Sequence, residues 1–501
     1  MKFKLQLVCE IAENEAISTE DIFAFEKEFD SFESIGMSLA ESKDMLKSLQ
    51  QNIIEKQLGA FIKSKGLQKL RKKGSYVVKL KTLFGDISFK SPRYYSPESA
   101  EQKTYSPLNE LLPQHTTPEL LFIETKWACL IPFEKTANLL KDLLPVSETL
   151  SGTTIQNNLY DLVMSQEKEI GEEQFMFDCG SINERRALPK PERTMVVGID
   201  GGYIRDWNEK KVIFEVIVGK SVPDEREAKC FGFVSSYDTK SKRRFYEHLK
   251  SQGMQPHQKM DFLSDGADNL RNLQTYLNAE STHILDWFHI TMRLTVLNQY
   301  VLGMLKVDDK IGNNLQELMV SIKWNLWHGK VGEALRKTEK IEDYLEEHKE
   351  DKVSKDRYEK LKAFGRYADK FHTYISNNRS FIVNYSDRYL HGETITTSFI
   401  ESTVNYVIAR RFSKKQSMQW TKKGTHLLLQ ARTKVLNNDW EREFRKKYPK
   451  FRVIKSLNES DEIKLGKIKR TYKNRRGSRR IFILNNYDGY FILRVKLKER
   501  T

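Results

Sequence analysis

Three aspartates at the ends of apolar runs are the strongest candidates for chemistry in this sequence. Asp200 precedes two glycines, Asp265 precedes Gly266, and Asp286 opens the segment DWFH that ends at His289. Asp-Gly pairs are also common turn formers, so each of the first two has an ordinary structural explanation. Carboxylates at the ends of neighbouring strands, however, repel one another unless a divalent cation neutralises them. Hard oxygen ligands suit Mg²⁺ or Mn²⁺.

The elements that must position these aspartates follow from the hydrophobic pattern. A polar turn over 206–210 predicts that the first two strands form a hairpin. Later strands follow helices and should pair in parallel, which gives the strand order of an RNase H-like sheet. The predicted strands cover 195–199, 212–218, 230–234, 260–263 and 283–285, and an amphipathic helix covers 241–251, closed by Gly253.

Several stretches of the chain resemble a bacterial insertion-sequence transposase of the ISKra type, over roughly residues 84–436. They are VVGIDGGYIRDW, FEVIVG, FLSDGADNLRNLQTYL, HILDWFHITMRLTVL, SFIESTVNYVIARR and MQWTKKGTHLLLQAR. The resemblance implies membership of the DDE superfamily, an RNase H-like catalytic core, and cutting of the element ends and their joining to target DNA. It also implies two bound ions, Mg²⁺ or Mn²⁺, that assist phosphoryl transfer.

The resemblance assigns roles to individual residues. It matches the two catalytic aspartates to Asp200 and Asp265 and the catalytic glutamate to Glu401, all three as metal ligands. The Cys-or-Asp, two residues, His motif of related transposases falls on Asp286 and His289, as supporting residues. The choice of Asp265 over Asp286 as the second acid rests on the resemblance alone. Glu401 has a second interpretation, a capping box with Ser398.

Composition points to a polyanionic partner. The 501 residues carry a formal net charge of +16, from 84 basic against 68 acidic residues, and the 39% hydrophobic content can bury a substantial core. The expected partner is double-stranded DNA, both as element ends and as target. The protein is expected to bind it as a homo-oligomer. Trp324 has two interpretations: packing in the core, which is favoured, and stacking on an unpaired base. The predicted phosphate contacts are Arg410, Arg411, Lys414 and Lys415.

The cysteines and the apolar runs predict a reduced cytoplasm and no membrane. The four cysteines form no CxxC pair, the N-terminal apolar run is too short for a signal peptide, and no run approaches 18 apolar residues. A cytoplasmic, nucleoid-associated protein is therefore expected.

Seven regions follow from the pattern, as an α/β RNase H-like core interrupted by an all-α insertion, with helical N-terminal domains and a basic, β-containing C-terminal tail. They are a helical accessory domain (1–70, opened by Ser18 as an N-cap), a β-hairpin (71–105), a helical region compatible with a helix-turn-helix (117–175), the first part of the core (193–290), the insertion (291–395), the return of the core with a glutamate-bearing helix over 398–411 (396–436), and the tail (437–501).

Two other functions use the same residues. A nuclease or resolvase with an RNase H-like core would use the same acids but would not join DNA ends. A non-catalytic DNA-binding protein derived from a transposase would use the basic surface alone. The presence of every expected acid favours an enzyme.

Overall fold

The structure, a computed structural model, describes the greater part of the chain as a mixture of helices and strands. Within this part, no helix combines the length and the apolar composition needed to cross a membrane. The described residues are 2–9, 18–28, 31–32, 35–67, 70–95, 104–171, 195–209, 211–223, 226–255, 258–277, 281–347, 355–413 and 418–453.

The N-terminal region begins with a hairpin rather than a helix. Strands β1 (Lys2–Cys9) and β2 (Ser18–Glu26) pair antiparallel, so the predicted helix opened by Ser18 is wrong. The ring of Phe25 stacks on that of Phe3 across the pair, with centroids 5.1 Å apart, and such cross-strand contacts decide strand over helix. Helix α1 (Leu39–Ser64) follows and begins at a capping box between Ser38 and Glu41.

The predicted hairpin over 71–105 is confirmed. Strands β3 (Arg71–Thr82) and β4 (Gly85–Tyr95) pair antiparallel, and the short β5 (Thr104–Tyr105) pairs with β4. Gly85 has a φ of +116°, a conformation that other residues rarely adopt, and it follows the turn directly.

Four helices follow, and the last three share the hydrophobic cluster of the central sheet, whereas Leu108 of the first packs in the cluster of α1, β3 and β4. The helices predicted over 134–144 and 153–164 are present, although the second is capped by Ser151 instead of starting at Thr153. Buried residues of this second helix, such as Leu159, share one hydrophobic cluster with the central sheet. The helices are α2 (Leu108–Leu111), α3 (Pro118–Ala128), α4 (Phe133–Leu143) and α5 (Gly152–Glu169).

A mixed sheet of five strands forms the centre of the described residues, in the order β10-β9-β6-β7-β8. Strands β6 and β7 pair antiparallel, β9 pairs parallel with β6, and β10 pairs parallel with β9, as predicted. The antiparallel pairing of β8 with β7 was not predicted. The elements are β6 (Met195–Arg205), β7 (Ile213–Val222), β8 (Lys229–Val234), α6 (Ser241–Ser251), β9 (Met260–Ser264), α7 (Asp268–Leu277) and β10 (Thr282–Leu285).

The predicted all-α insertion is confirmed for the described residues between 287 and 395, which contain no strand. Its helices form a hydrophobic cluster of their own, which reaches the sheet through Leu263, Ile284 and Leu285. The helices are α8 (Trp287–Leu305), α9 (Asp309–Trp327), α10 (Val331–Glu347), α11 (Lys355–Asn377) and α12 (Tyr385–Leu390).

The chain then returns to the sheet through a helix that changes type. Instead of one helix over 398–411, α13 (Ser398–Val404) runs into a π-helix (Asn405–Ser413), a rare form that is frequent at functional sites. Helix α14 (Lys422–Leu436) and helix α15 (Trp440–Lys447) complete this part.

The predicted boundary between core and tail at residue 437 is wrong. Trp440 and Phe444 of α15 are 2% and 0% exposed and belong to the same hydrophobic cluster as the sheet, so the core continues to Phe451. The predicted basic run over 464–480 and the two strands after it lie outside the described residues.

Alternation along β6 separates the two faces of the sheet. Met195, Val197 and Ile199 pack against α6 and α7 on one face. The even-numbered residues face the opposite side, which α13, the π-helix and α14 cover.

Two glycines on the covered face let α13 and the π-helix lie directly on β6. A Cβ atom on Gly198 would overlap the side chain of Ile400, and one on Gly202 would lie 2.6 Å from Cδ1 of Ile408. Asp200 lies between these glycines and therefore faces the same helix.

We expect Gly198→Ala to lower the free energy of unfolding by about 1–3 kcal/mol, because the added methyl group must displace Ile400. Gly303→Ala is the matched control: Gly303 lies inside α8 with open space around its Cβ position, so that alanine should be neutral or stabilise by about 0.5–1 kcal/mol. Urea unfolding measures both. Equal effects would show that α13 does not depend on this close approach.

Candidate active site

Three carboxylates lie in one row across the sheet. The register pairs Gly198 with Leu263, and its continuation by two residues sets Asp200 beside Asp265. The register of β9 and β10 likewise ends with Ser264 opposite Leu285, so the next pair is Asp265 and Asp286. Neighbouring strands are about 4.8 Å apart, and partners in register point to the same face. Continued in this way, the register places all three aspartates at the same edge of the sheet, and the charges of Asp265 and Asp286 act on Asp200.

Asp200 was predicted at the end of a strand, but it lies within β6. It occupies the point where pairing with β9 has stopped while pairing with β7 continues. Its Oδ1 accepts a hydrogen bond of 2.7 Å from the Gly201 N–H. Burial raises the pKa of Asp200, and the charges of Asp265 and Asp286 raise it further, against the opposing effects of the Gly201 N–H and His289.

Asp265 follows β9 and directly precedes two residues that line a polar cavity. Its Oδ1 accepts a 3.0 Å hydrogen bond from the Ala267 N–H. Next to it, Gly266 has a φ of +91° and packs against the Asn378 side chain. A cavity of about 410 Å³ is lined here by Gly266, Ala267, Arg271, Asn377 and Asn378.

Asp286 is fully buried and holds two segments together. Its Oδ1 accepts hydrogen bonds from the N–H groups of Phe288 (2.9 Å) and Thr397 (3.0 Å), and its Oδ2 accepts one from the Thr397 hydroxyl. It is thus both the N-cap of α8 and the anchor of the residue before α13. Burial raises the pKa of Asp286, whereas these donors lower it. Because donors already occupy both oxygens, Asp286 suits a positioning role better than a metal ligand.

His289 lies on the first turn of α8, beside the row of acids. Its Nε2 is 3.7 Å from Oδ2 of Asp286, and its charge acts on Asp200 as well. A protonated His289 would offset part of the repulsion between these carboxylates.

Glu401 is exposed on α13, the helix that covers the face of Asp200. The capping-box interpretation with Ser398 is wrong: Thr397 is the N-cap, its hydroxyl binds Asp286, and α13 has no side-chain cap hydrogen bond. Asp286 instead fixes where α13 begins, and Ile400 against Gly198 fixes how the helix lies on β6.

The chemistry of these donors fits a divalent cation. The described residues contain no group of three or more His, Cys, Asp or Glu side chains close enough together to hold a metal ion. Asp200, Asp265 and Glu401 nevertheless offer hard carboxylate oxygens, the ligands that Mg²⁺ and Mn²⁺ prefer. The raised pKa of Asp200, caused by burial and by two further carboxylates, is the electrostatic signature of a group that a bound cation would stabilise.

The predicted phosphate contacts divide into three cases. Arg410 is exposed, and its contact with a phosphate stays a prediction. The prediction for Arg411 is wrong: its side chain is 0% exposed, lies 5.2 Å from the ring of Phe133 and 5.1 Å from that of Trp420, and donates to the Ala128 carbonyl. Lys414 and Lys415 lie outside the described residues.

Trp324 is 61% exposed, which excludes its packing in the core. It borders an apolar cavity of about 390 Å³ together with Trp287, Val320, Lys323 and Trp327. Stacking on a base stays a prediction.

Sequence reasoning missed Arg293 and Tyr374 beside the acids. The Tyr374 hydroxyl donates to the backbone carbonyl of Asp265 at 3.1 Å, and the Arg293 guanidinium lies 3.9 Å from the centroid of the Tyr374 ring. Arg293 could have been found from its spacing, because it lies four residues after His289 on the same helix face. Tyr374 lies 109 residues after Asp265, and no spacing rule extends that far.

No protein-family model matches this sequence, and no curated protein is significantly similar to it.

We expect the substitutions Asp200→Asn and Asp286→Ala to change stability in opposite directions. The raised folded-state pKa of Asp200 means that its charged form is penalised, and this penalty grows as the pH rises through that pKa. Asp200→Asn should therefore raise Tm at pH 7 by about 1–3 °C and have little effect at pH 3. Asp286→Ala leaves Thr397 and Phe288 without their acceptor and should cost about 2 kcal/mol or more. Scanning calorimetry at both pH values measures this; a loss of stability in both variants would make Asp200 a structural residue as well.

The neighbours Arg410 and Arg411 should also differ. Arg411→Ala removes a buried side chain from between two rings and should destabilise by about 3 kcal/mol or more. Arg410→Ala should change stability by no more than about 0.5 kcal/mol, because its side chain is exposed. Chemical denaturation of the two variants is the measurement, and similar values for both would contradict the assignment of Arg411 to the core.

Proposed function

We propose that this protein is a DNA transposase of the DDE superfamily with an RNase H-like catalytic domain, which cuts the ends of an insertion sequence and joins them to target DNA. The observation that carries the proposal is the row of Asp200, Asp265 and Asp286 on one face of a mixed sheet, under the helix that bears Glu401. The strand order β10-β9-β6-β7-β8, with its antiparallel half and its parallel half, supports the RNase H-like assignment.

The proposal gives each acid a distinct task. Asp200, Asp265 and Glu401 would hold the metal ions, whereas Asp286 keeps its oxygens for Thr397 and Phe288. When bound, two divalent ions supply an activated oxygen nucleophile and neutralise the charge on the leaving oxygen.

The chain's own contribution is orientation and charge. The Gly201 and Ala267 N–H groups hold one oxygen of Asp200 and of Asp265 and fix the direction of the other. A positive charge on His289 would offset part of the charge of the row. The packing of Ile400 on Gly198 fixes the position of α13 and so of Glu401 beside it. Such preorganisation is what lets an electrostatic site act without reorganising during the reaction.

Nicking of supercoiled plasmid and joining of labelled duplexes, made from the DNA that flanks the coding sequence, test the proposal. Asp200→Asn, Asp265→Asn and Glu401→Gln should each lower both activities by about 10²–10³-fold or more, because each removes a ligand oxygen at the reacting centre. Asp161→Asn is the control, since Asp161 is an exposed carboxylate on α5. It should retain full activity.

The outcomes separate the three functions. Nicking without joining would favour a nuclease or resolvase that uses the same acids. Duplex binding without either activity would favour a DNA-binding protein. Near-normal activity of any one of the three acid variants would remove that residue from the site.

Metal dependence gives a further expected outcome. Nicking should require Mg²⁺ or Mn²⁺, and Ca²⁺ should support binding with little chemistry. The same ions should raise the Tm of the wild-type protein and not that of Asp200→Asn, because binding to the folded state alone stabilises it. Full nicking in excess chelator would contradict the metal-dependent mechanism.

A further inference from the structure

An arginine that the sequence analysis did not single out lies beside the row of acids. Arg293 is exposed on α8, and its guanidinium lies 3.9 Å from the centroid of the Tyr374 ring. The ring comes from α11, so the contact joins two helices of the insertion. An arginine stacked on an aromatic ring keeps its planar fork of N–H donors available at its edge.

Tyr374 connects this arginine to the site. Its hydroxyl donates to the Asp265 carbonyl at 3.1 Å, and the charges of Asp265 and Asp286 both act on it. Arg293 is therefore held by a partly buried ring that is itself hydrogen-bonded to the loop of Asp265.

The position of Arg293 on its helix points the same way. Asp286 is the N-cap of α8, and His289 and Arg293 follow at spacings of three and then four residues. These spacings put His289 and Arg293 on one face of α8, the face that begins at the acids.

The negative charge of the three carboxylates explains why an arginine beside them would help to bind DNA. A row of three carboxylates repels a DNA phosphate, and the repulsion is strongest where the acids are partly buried. A fixed cation at the border of the row attracts the phosphate without filling the positions of the acids. Arginine is suited to this because it binds phosphate oxygens through two parallel N–H groups.

We propose that Arg293, held by Tyr374, binds a backbone phosphate of the DNA strand that enters the candidate active site. The proposal rests on the proposed function and adds a phosphate-binding residue to it. Its alternative is a purely structural contact in which Arg293 only ties α8 to α11.

Binding of a fluorescein-labelled 30-base-pair duplex, measured by anisotropy in Ca²⁺ over a series of KCl concentrations, tests this. Arg293→Gln should weaken binding about 5-fold or more and reduce the slope of log Kd against log salt by about 1, the change expected for one lost phosphate contact. Arg293→Lys should keep the slope closer to that of the wild type, because the charge remains.

Lys370→Gln is the matched control. Lys370 is also an exposed cation over a tyrosine ring of the insertion, 5.4 Å from the centroid of Tyr367. It should leave affinity and slope unchanged. A Tm measured for every variant detects loss of structure.

Three results would overturn the phosphate-binding role of Arg293. A wild-type slope for Arg293→Gln, with or without a lower Tm, overturns the phosphate-binding role and leaves the proposed function standing. An equal change in Lys370→Gln also overturns it, because the effect would then come from general surface charge. A wild-type protein that does not bind the duplex overturns both proposals.

Discussion

Repulsion between carboxylates on adjacent strands is the constraint on which the site depends. Asp200 lies in β6, Asp265 and Asp286 directly follow the neighbouring strands β9 and β10, and the charges of these two act on Asp200. The three carboxylates differ in how many of their oxygens accept hydrogen bonds. Asp286 has both oxygens bound by donors, whereas for Asp200 and Asp265 the hydrogen bonds described above reach one oxygen each. Asp286 is therefore stabilised by the protein itself, whereas Asp200 and Asp265 are suited to an external cation.

The same buried carboxylate also determines where α13 begins. Thr397 gives both its N–H and its hydroxyl to Asp286, so the start of the glutamate-bearing helix is tied to the end of β10. At the other end, the buried Arg432 donates to the carbonyls of Tyr406 and Val407 in the π-helix and to that of Cys129 after α3. A π-helix leaves some carbonyls without the usual α-helical donor, and a buried guanidinium with several N–H groups can satisfy more than one of them. The short helix that carries Glu401 is thus anchored at both ends.

The central sheet could be predicted because each strand is a short apolar run bounded by charged residues or glycine. The pairing followed from the turn at 206–210 and from the helices before β9 and β10. The start of the chain was mispredicted because Phe25 fits both helical spacing and strand alternation, and only its contact with Phe3 decides between them. The resemblance assigned Asp286 a supporting role, but its partner Thr397, 111 residues away, could not be found from the sequence. The strand register brings the acids together, but the local sequence does not show which of them receives hydrogen bonds on both oxygens.

Charge in the sequence does not translate directly into charge on the surface, and the arginines near the site illustrate this. Arg411 stands in a basic run yet lies between the rings of Phe133 and Trp420, and burial lowers its pKa to about 10. Arg293 stands alone in an apolar helix yet is exposed over one ring at the border of the acids. The difference lies in what covers the second face of the guanidinium. Two rings and a carbonyl surround Arg411 within the fold, whereas Arg293 contacts one ring and remains exposed. The net charge of +16 therefore identifies a DNA contact only after each cation has been placed.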